Sequence, residues 1–157
     1  MNNQSFSFSE LKQKAEQYCA YQERCHQEVV KKLYELRATK DEMDEIIVHL
    51  INANFLNEER FARSYARGKH RIKKHGRVRI INELKFRSIS SYNIKKALEE
   101  ISDESYSSTF AALSEKTWHS ITERNKTKKK KKFCDMLLRK GYESDLVYQT
   151  WKDLSEE

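Results

Sequence analysis

The stretch KHRIKKHGRVRIINEL, Lys69 to Leu84, crowds Lys and Arg around two His and leaves one carboxylate, Glu83. The segment leading into it, NEERFARSYARGKHRIKK, reads as a helix. At ~100° per residue, Arg60, Arg63, Arg67, Arg71 and Lys74 fall together, while Phe61, Tyr65, Gly68 and Ile72 form a separate packing stripe. Lys73 and Arg77 extend the basic block. From Arg60 to Lys85 the only acid is Glu83, whereas a solvated helix usually interleaves charges of both signs. The chemistry this pattern suits is electrostatic, a track for phosphates or another polyanion. A second basic element, ERNKTKKKKKFCDMLLRKG, sets Lys128, Lys129, Lys130, Lys131 and Lys132 in succession. Consecutive lysines cannot share one helical face, so the run reads equally as a solvated loop and helix start or as a nonspecific polyanion contact.

Arg79 and Arg87 stand four residues on either side of Glu83, a spacing that suits ordinary pairing on a helix surface more than contacts to a ligand. Tyr106, Phe110, Leu113 and Trp118 raise the question of base stacking, but their helical spacing places most of them in a core. The densest acids, Asp41, Glu42, Asp44 and Glu45, lie on the first turn of a helix, where exposed backbone N–H groups favour negative charge without any metal. Cys19, Cys25 and Cys134 are odd in number and without metal-like spacing, so neither a disulfide framework nor zinc at Cys25-His26 is expected. No phosphate-binding glycine loop, zinc signature or nucleophile motif is present. The expectation is a binding protein, not an enzyme, with no cofactor of its own.

The elements that must carry these charges follow from composition. Proline is absent, and glycine occurs only at Gly68, Gly76 and Gly141, which removes the usual punctuation of hairpins. An all-α chain is therefore expected. The segment RVRI alternates like a strand, but its flanks keep helical period and offer no partner strand. Thr39 with Glu42, and Ser7 with Glu10, match capping-box starts. Met43, Ile46, Ile47, Leu50 and Ile51 then form one apolar face. Net charge is +7, with 38% hydrophobic and 35% charged residues, a balance that predicts a thin shape with much surface per residue. No apolar run approaches the ~18 residues of a membrane span. The polar start MNNQSFSFSE lacks the features of a secretory leader, so a cytoplasmic protein is expected.

Shifting the chain against itself by 51 residues, and by a further 53, brings apolar positions into coincidence. Val29, Ile80 and Phe133 align, as do Leu33, Leu84 and Leu137. Ala38, Ile89 and Tyr142 follow, then Met43, Ile94 and Val147, then Ile47, Leu98 and Trp151. The coincidences span two helices and the turn between them, the signature of tandem repeats. Three three-helix units are expected, over residues 1–54, 55–103 and 104–157, with first helices starting near Ser7, Asn57 and Ser105. Each unit is too small to bury much core alone, so neighbours should stack into an elongated, curved, monomeric array.

The combination FLNEERFARSYARGKHRIKKHGRVRIINELKFRSIS, Phe55 to Ser90, resembles the central signature of the RecX family, bacterial regulators of the recombinase RecA. The likeness lies in Phe55-Leu56, Asn57-x-x-Arg60-Phe61-Ala62, Tyr65, Gly76-x-x-Arg79-Ile80 and Glu83-Leu84. In the third repeat RKGYESDLV matches the usual turn into the last helix. Where the family's middle repeat commonly has glycine, this chain has Ser88 before Ile89, and the first-repeat turn is Arg37-Ala38. The resemblance implies a protein that binds the RecA filament on single-stranded DNA, with duplex DNA a further partner to consider. It further implies restraint of RecA's ATP hydrolysis, recombination and coprotease activities, and so a part in DNA repair and the SOS response. ATP would be RecA's cofactor. The competing reading is a stand-alone helical regulator of duplex DNA, since three short helices also resemble helix-turn-helix geometry.

Overall fold

The computed structural model describes residues 5–157. The first four residues of the polar start, part of the basis for expecting no secretory leader, lie outside them. Nine helices and no strands occur among the described residues: α1 Phe8–Tyr21, α2 His26–Glu35, α3 Lys40–Asn52, α4 Glu58–Arg71, α5 Arg77–Phe86, α6 Ser91–Leu98, α7 Asp103–Ser120, α8 Lys126–Lys140 and α9 Ser144–Ser155. They form three successive three-helix units. None is long and apolar enough to cross a membrane.

Side-chain caps set most starts. Ser7 and Glu10 close a reciprocal capping box on α1, and Thr39 and Glu42 do the same on α3, each satisfying backbone donors that a first turn leaves free. Asn57 caps α4. The third unit starts slightly earlier than expected: its cap is Ser102, whose hydroxyl accepts from the Ser105 N–H (3.1 Å). RVRI lies inside α5.

The repeat is most exact in the turn after each unit's second helix. Arg37, Ser88 and Gly141 occupy the same register, and all three have positive φ, 64°, 59° and 102°. In each unit the following N–H, of Ala38, Ile89 or Tyr142, donates back to the carbonyl of Leu33, Leu84 or Leu137 (3.0, 3.1 and 3.3 Å). This is a left-handed helix stop with its hydrophobic closure, a position that favours glycine because other side chains crowd the backbone there. Arg37 and Ser88 accept that crowding. Ser88 also meets the first unit, its hydroxyl accepting from Gln27 Nε2 (2.8 Å).

Two cores underlie the three units. Leu11, Ala15, Val29, Leu33, Ile46, Ile47 and Leu50 form the first. A single larger core runs through the second and third units, from Phe61, Ile80 and Leu84 to Phe133, Leu137 and Val147. Cys25, the residue before α2, is fully buried in this second core, and burial pushes its thiol up to about 11. Accessible surface totals 10505 Å², against roughly 8,300 Å² for a compact monomer of this mass, so the molecule is thin and extended.

Two expected packing positions are exposed. Ile72 is 75% exposed, because α4 ends at Arg71 and buries Phe61, Ala62, Ala66 and His70 instead. Alanines at 62, 66 and 97, all fully buried, let α4 approach α6 closely. Ile51, at 51% exposure, lies off the face of α3 that buries Ile46, Ile47 and Leu50.

The connection between α4 and α5 docks on the third unit. Gly76 N–H donates to the Lys140 carbonyl (2.8 Å) and Val78 N–H to that of Gly141 (2.9 Å). The Tyr142 hydroxyl donates to the Lys74 carbonyl (2.6 Å). His75 is buried beside this junction, and burial, reinforced by Arg79, Lys140 and Lys69 against the opposing pull of Glu83, lowers its pKa to about 4. The folded chain thus holds His75 neutral where the unfolded chain would protonate it. Stability from this group is full above pH ~6.5 and is lost as pH falls towards 4, by up to about 3 kcal/mol. Urea unfolding at pH 7 and pH 4.5 should show that loss, and His75→Gln should reduce it. An equal pH dependence in the variant would assign the loss to other groups.

Candidate nucleic-acid interface

The basic stripe of α4 divides into two parts with different environments. Arg60 begins the first. Its Nε bonds Glu23 (2.6 Å), one terminal nitrogen donates to Asn54 Oδ1 (3.1 Å), and the other to the carbonyls of Asn54 and Phe55 (3.1 and 3.2 Å). This guanidinium ties the first unit to the second and satisfies the left-handed turn at Asn54. Arg63 faces Glu59, Glu99 and Glu100 (3.8, 3.5 and 3.2 Å), and Arg67 shares Glu100 (3.2 Å). Both bind the end of α6 to α4.

Arg77 has a similar structural post between the second and third units. It pairs with Asp103 (2.8 Å) and faces Glu143 at 4.0 Å, with its guanidinium carbon 3.9 Å over the Tyr106 ring. The Tyr106 hydroxyl donates to Glu143 and accepts from the Arg77 N–H. Burial, together with the Glu143 bond, raises its pKa. A parallel arrangement holds Glu83: burial alone would raise its carboxyl, but donation from Tyr65 and Arg79 outweighs that and keeps it low. Arg87 bonds the Glu83 backbone carbonyl (3.0 Å), not its carboxylate.

The second part begins at Arg71, the last residue of α4; Lys73 and Lys74 lie past the helix, Lys74 with φ 60°, and not on the helical stripe expected from the sequence. Arg71, Lys73 and Lys74 are exposed and have no ion pair among the described residues. Lys74 Nζ reaches only the Arg71 carbonyl (2.9 Å). The third unit adds cations beside them, for Lys140 Nζ donates to the Lys73 carbonyl (3.2 Å) and Arg79 to the Arg139 carbonyl (3.3 Å). Arg79, Lys116, Arg139 and Lys140 surround a cleft of about 350 Å³ floored by Leu113, Met136 and Leu137. Every charged residue of that lining is basic. Sequence reasoning passed over Lys116, Arg139 and Lys140, although Arg139-Lys140 before Gly141 already lay within the quoted RKG turn.

The lysine run lies wholly within α8, not in a loop. Its members diverge as consecutive helical residues must. Lys128 is exposed. Lys129 and Lys130 lie over the rings of Trp118 and Trp151 (3.8 and 4.2 Å). Lys131 pairs with Asp135 (2.8 Å) and Lys132 with Glu123 (3.6 Å). What remains is a patch of cations at the junction of the second and third units, with a second basic surface at the start of α8. Such surfaces hold polyanions by neutralising phosphates and reading no sequence.

Comparison with known proteins matches residues 57–98 to the second three-helix domain of RecX and residues 104–151 to the third, together more than half of the chain. The regulatory protein RecX of Bacillus cytotoxicus is 28% identical over 140 residues, and that of Bacillus mycoides 26%. Each alignment covers 89% of this chain and 52% of the relative, so the chain spans about half the length of these curated relatives. The crystal structure of RecX from Lactobacillus salivarius superposes with a TM-score of 0.80 at 27% identity, over 96% of this chain and 97% of that one. Three-helix units in series, their register and these likenesses agree: the chain belongs to the RecX family of regulatory proteins.

Proposed function

We propose that this protein binds the RecA filament on single-stranded DNA and restrains RecA's ATPase, recombinase and coprotease activities, and thereby acts in DNA repair and the SOS response. Membership of the RecX family supports RecA as the partner. The observation from this chain that carries the reading is the unneutralised patch of Arg71, Lys73 and Lys74 beside the Arg139 cleft, on a thin body with the surface to span protein and phosphate together. Nucleotide hydrolysis belongs to RecA. The site residues that serve this role are Arg71, Lys73 and Lys74, with Lys128, Lys129 and Lys130 on the second basic surface, while Arg60, Arg63, Arg67 and Arg77 chiefly hold helices and units in register.

The test is RecA's single-strand-dependent ATP hydrolysis with the protein added below stoichiometry. A dose-dependent fall in rate is expected. An unchanged rate, with the protein binding a particular duplex sequence without RecA, would instead favour a stand-alone DNA-binding regulator.

A further inference from the structure

Both tryptophans of the chain, Trp118 and Trp151, line one open cleft of about 610 Å³ in the third unit. Its walls come from the end of α7, the connection into α8, the start of α8 and the end of α9, and it shares no lining residue with the Arg139 cleft. Trp118 is fixed from one side by an edge contact with buried Phe133, centroids 5.5 Å apart. What covers the indole faces is unusual for a core. Lys129 Nζ lies 3.8 Å from the Trp118 centroid and Lys130 Nζ 4.2 Å from that of Trp151. Arg124 and Lys126 are exposed at the rim. The one acid in the lining, Glu123, is engaged by Lys132 (3.6 Å) and by the Asn125 N–H (3.2 Å).

A half-buried ammonium over an indole is held weakly enough to be exchanged, and the long lysine chain lets it swing aside. A ligand that replaces it must offer the indole a flat π-face and give the displaced ammonium an anion close by. A nucleotide of a single strand supplies both, base and flanking phosphate, whereas a duplex keeps its bases stacked on one another. We infer that the Trp118–Trp151 cleft stacks unpaired bases of a single-stranded nucleic acid, with Lys129, Lys130, Arg124 and Lys126 taking the adjoining phosphates. The inference deepens the single-strand part of the proposed function, whose second basic surface shares Lys129 and Lys130, but it does not require RecA.

Because the cleft contains every tryptophan of the chain, intrinsic fluorescence reports on it directly. The full chain would be titrated at low salt with oligothymidylate of about 20 nucleotides, a duplex of equal length and polyglutamate, while the anisotropy of labelled strand measures binding separately. Saturable quenching by the single strand is expected, with little from duplex or polyglutamate. Trp151→Ala should weaken single-strand binding about fivefold or more and leave the slope of affinity against salt unchanged, because stacking is lost and no phosphate contact is. Trp151→Phe, with a smaller ring, should show an intermediate loss and serves if the alanine variant does not fold. Absent strand binding, bound strand without an emission change, equal quenching by duplex or polyglutamate, or wild-type affinity in Trp151→Phe and any folded Trp151→Ala would each overturn the inference. RecA inhibition measured on the same samples separates the two ideas, since it can persist when the cleft proves unused.

Discussion

Gly141→Ala should cost roughly 2 to 5 kcal/mol of folding stability, a large share of the 5–15 kcal/mol typical of a domain. Two costs combine. Gly141 has φ 102°, where a Cβ is crowded by its own backbone at about 1–2 kcal/mol. That same Cβ would stand 2.3 Å from Arg79 Cβ and 2.7 Å from the Arg79 backbone nitrogen, atoms fixed in the first turn of α5, and overpacking of this kind adds about 1–3 kcal/mol. Gly76 faces it across the same junction, its own Cβ position 2.3 Å from the Gly141 carbonyl oxygen. Gly76→Ala should therefore destabilise through the clash alone, since its φ of −80° suits any residue. Gly68 is the control: it lies inside α4 with open space around it, so Gly68→Ala should stabilise by about 0.5–1 kcal/mol. Urea unfolding of the three variants tests the set. A loss below about 1 kcal/mol for Gly141→Ala would mean that the second and third units do not dock through this turn.

The apolar skeleton was readable before any coordinates because it is local. Val29, Ile80 and Phe133 share a register with Leu33, Leu84 and Leu137 four residues on, and all six are buried. Helical period and a constant repeat length suffice to find them. The role of the charges was not readable by the same means. Counting acids between Arg60 and Lys85 gives Glu83 alone, yet the acids that neutralise this stripe come from elsewhere in the sequence. Glu23 reaches Arg60 from the first unit, Glu100 reaches Arg63 and Arg67 from the end of α6, and Asp103 reaches Arg77 from α7. Ion pairs between helices and between units follow from tertiary docking, which periodicity does not encode. The same limit hid the Arg139 cleft and the cleft that Trp118 and Trp151 both line. It also hid the merging of two units into one core, in which Cys25 of the first unit takes part.

Docking thus sorts the basic residues into two classes with opposite expected phenotypes. Replacing Arg71, Lys73, Lys74 and Arg139 together by Gln should leave folding nearly intact, since all four are exposed and Gln is a good helix former at the two helical positions, Arg71 and Arg139. Binding should change sharply. If each contacts one phosphate, the slope of log affinity against log salt flattens by about 3 on single strands, with a somewhat larger change on duplex. Extrapolated to 0.1 M salt from a common value near 1 M, that is a loss of two to three orders of magnitude in affinity. Restraint of RecA's ATP hydrolysis should weaken in parallel. The contrasting variant replaces Arg60 and Arg77, whose guanidiniums join the units. Here the salt slope should stay close to wild type, while stability falls, because Arg60 leaves behind the part-buried Glu23 carboxylate and the Asn54 and Phe55 carbonyls that it now satisfies. Salt titrations by anisotropy, paired with urea unfolding, place each variant on both axes. Should the first variant keep its full salt slope and its full effect on RecA, while the second loses both without unfolding, the phosphate-facing surface would lie along Arg60 and Arg77 and not at the end of α4.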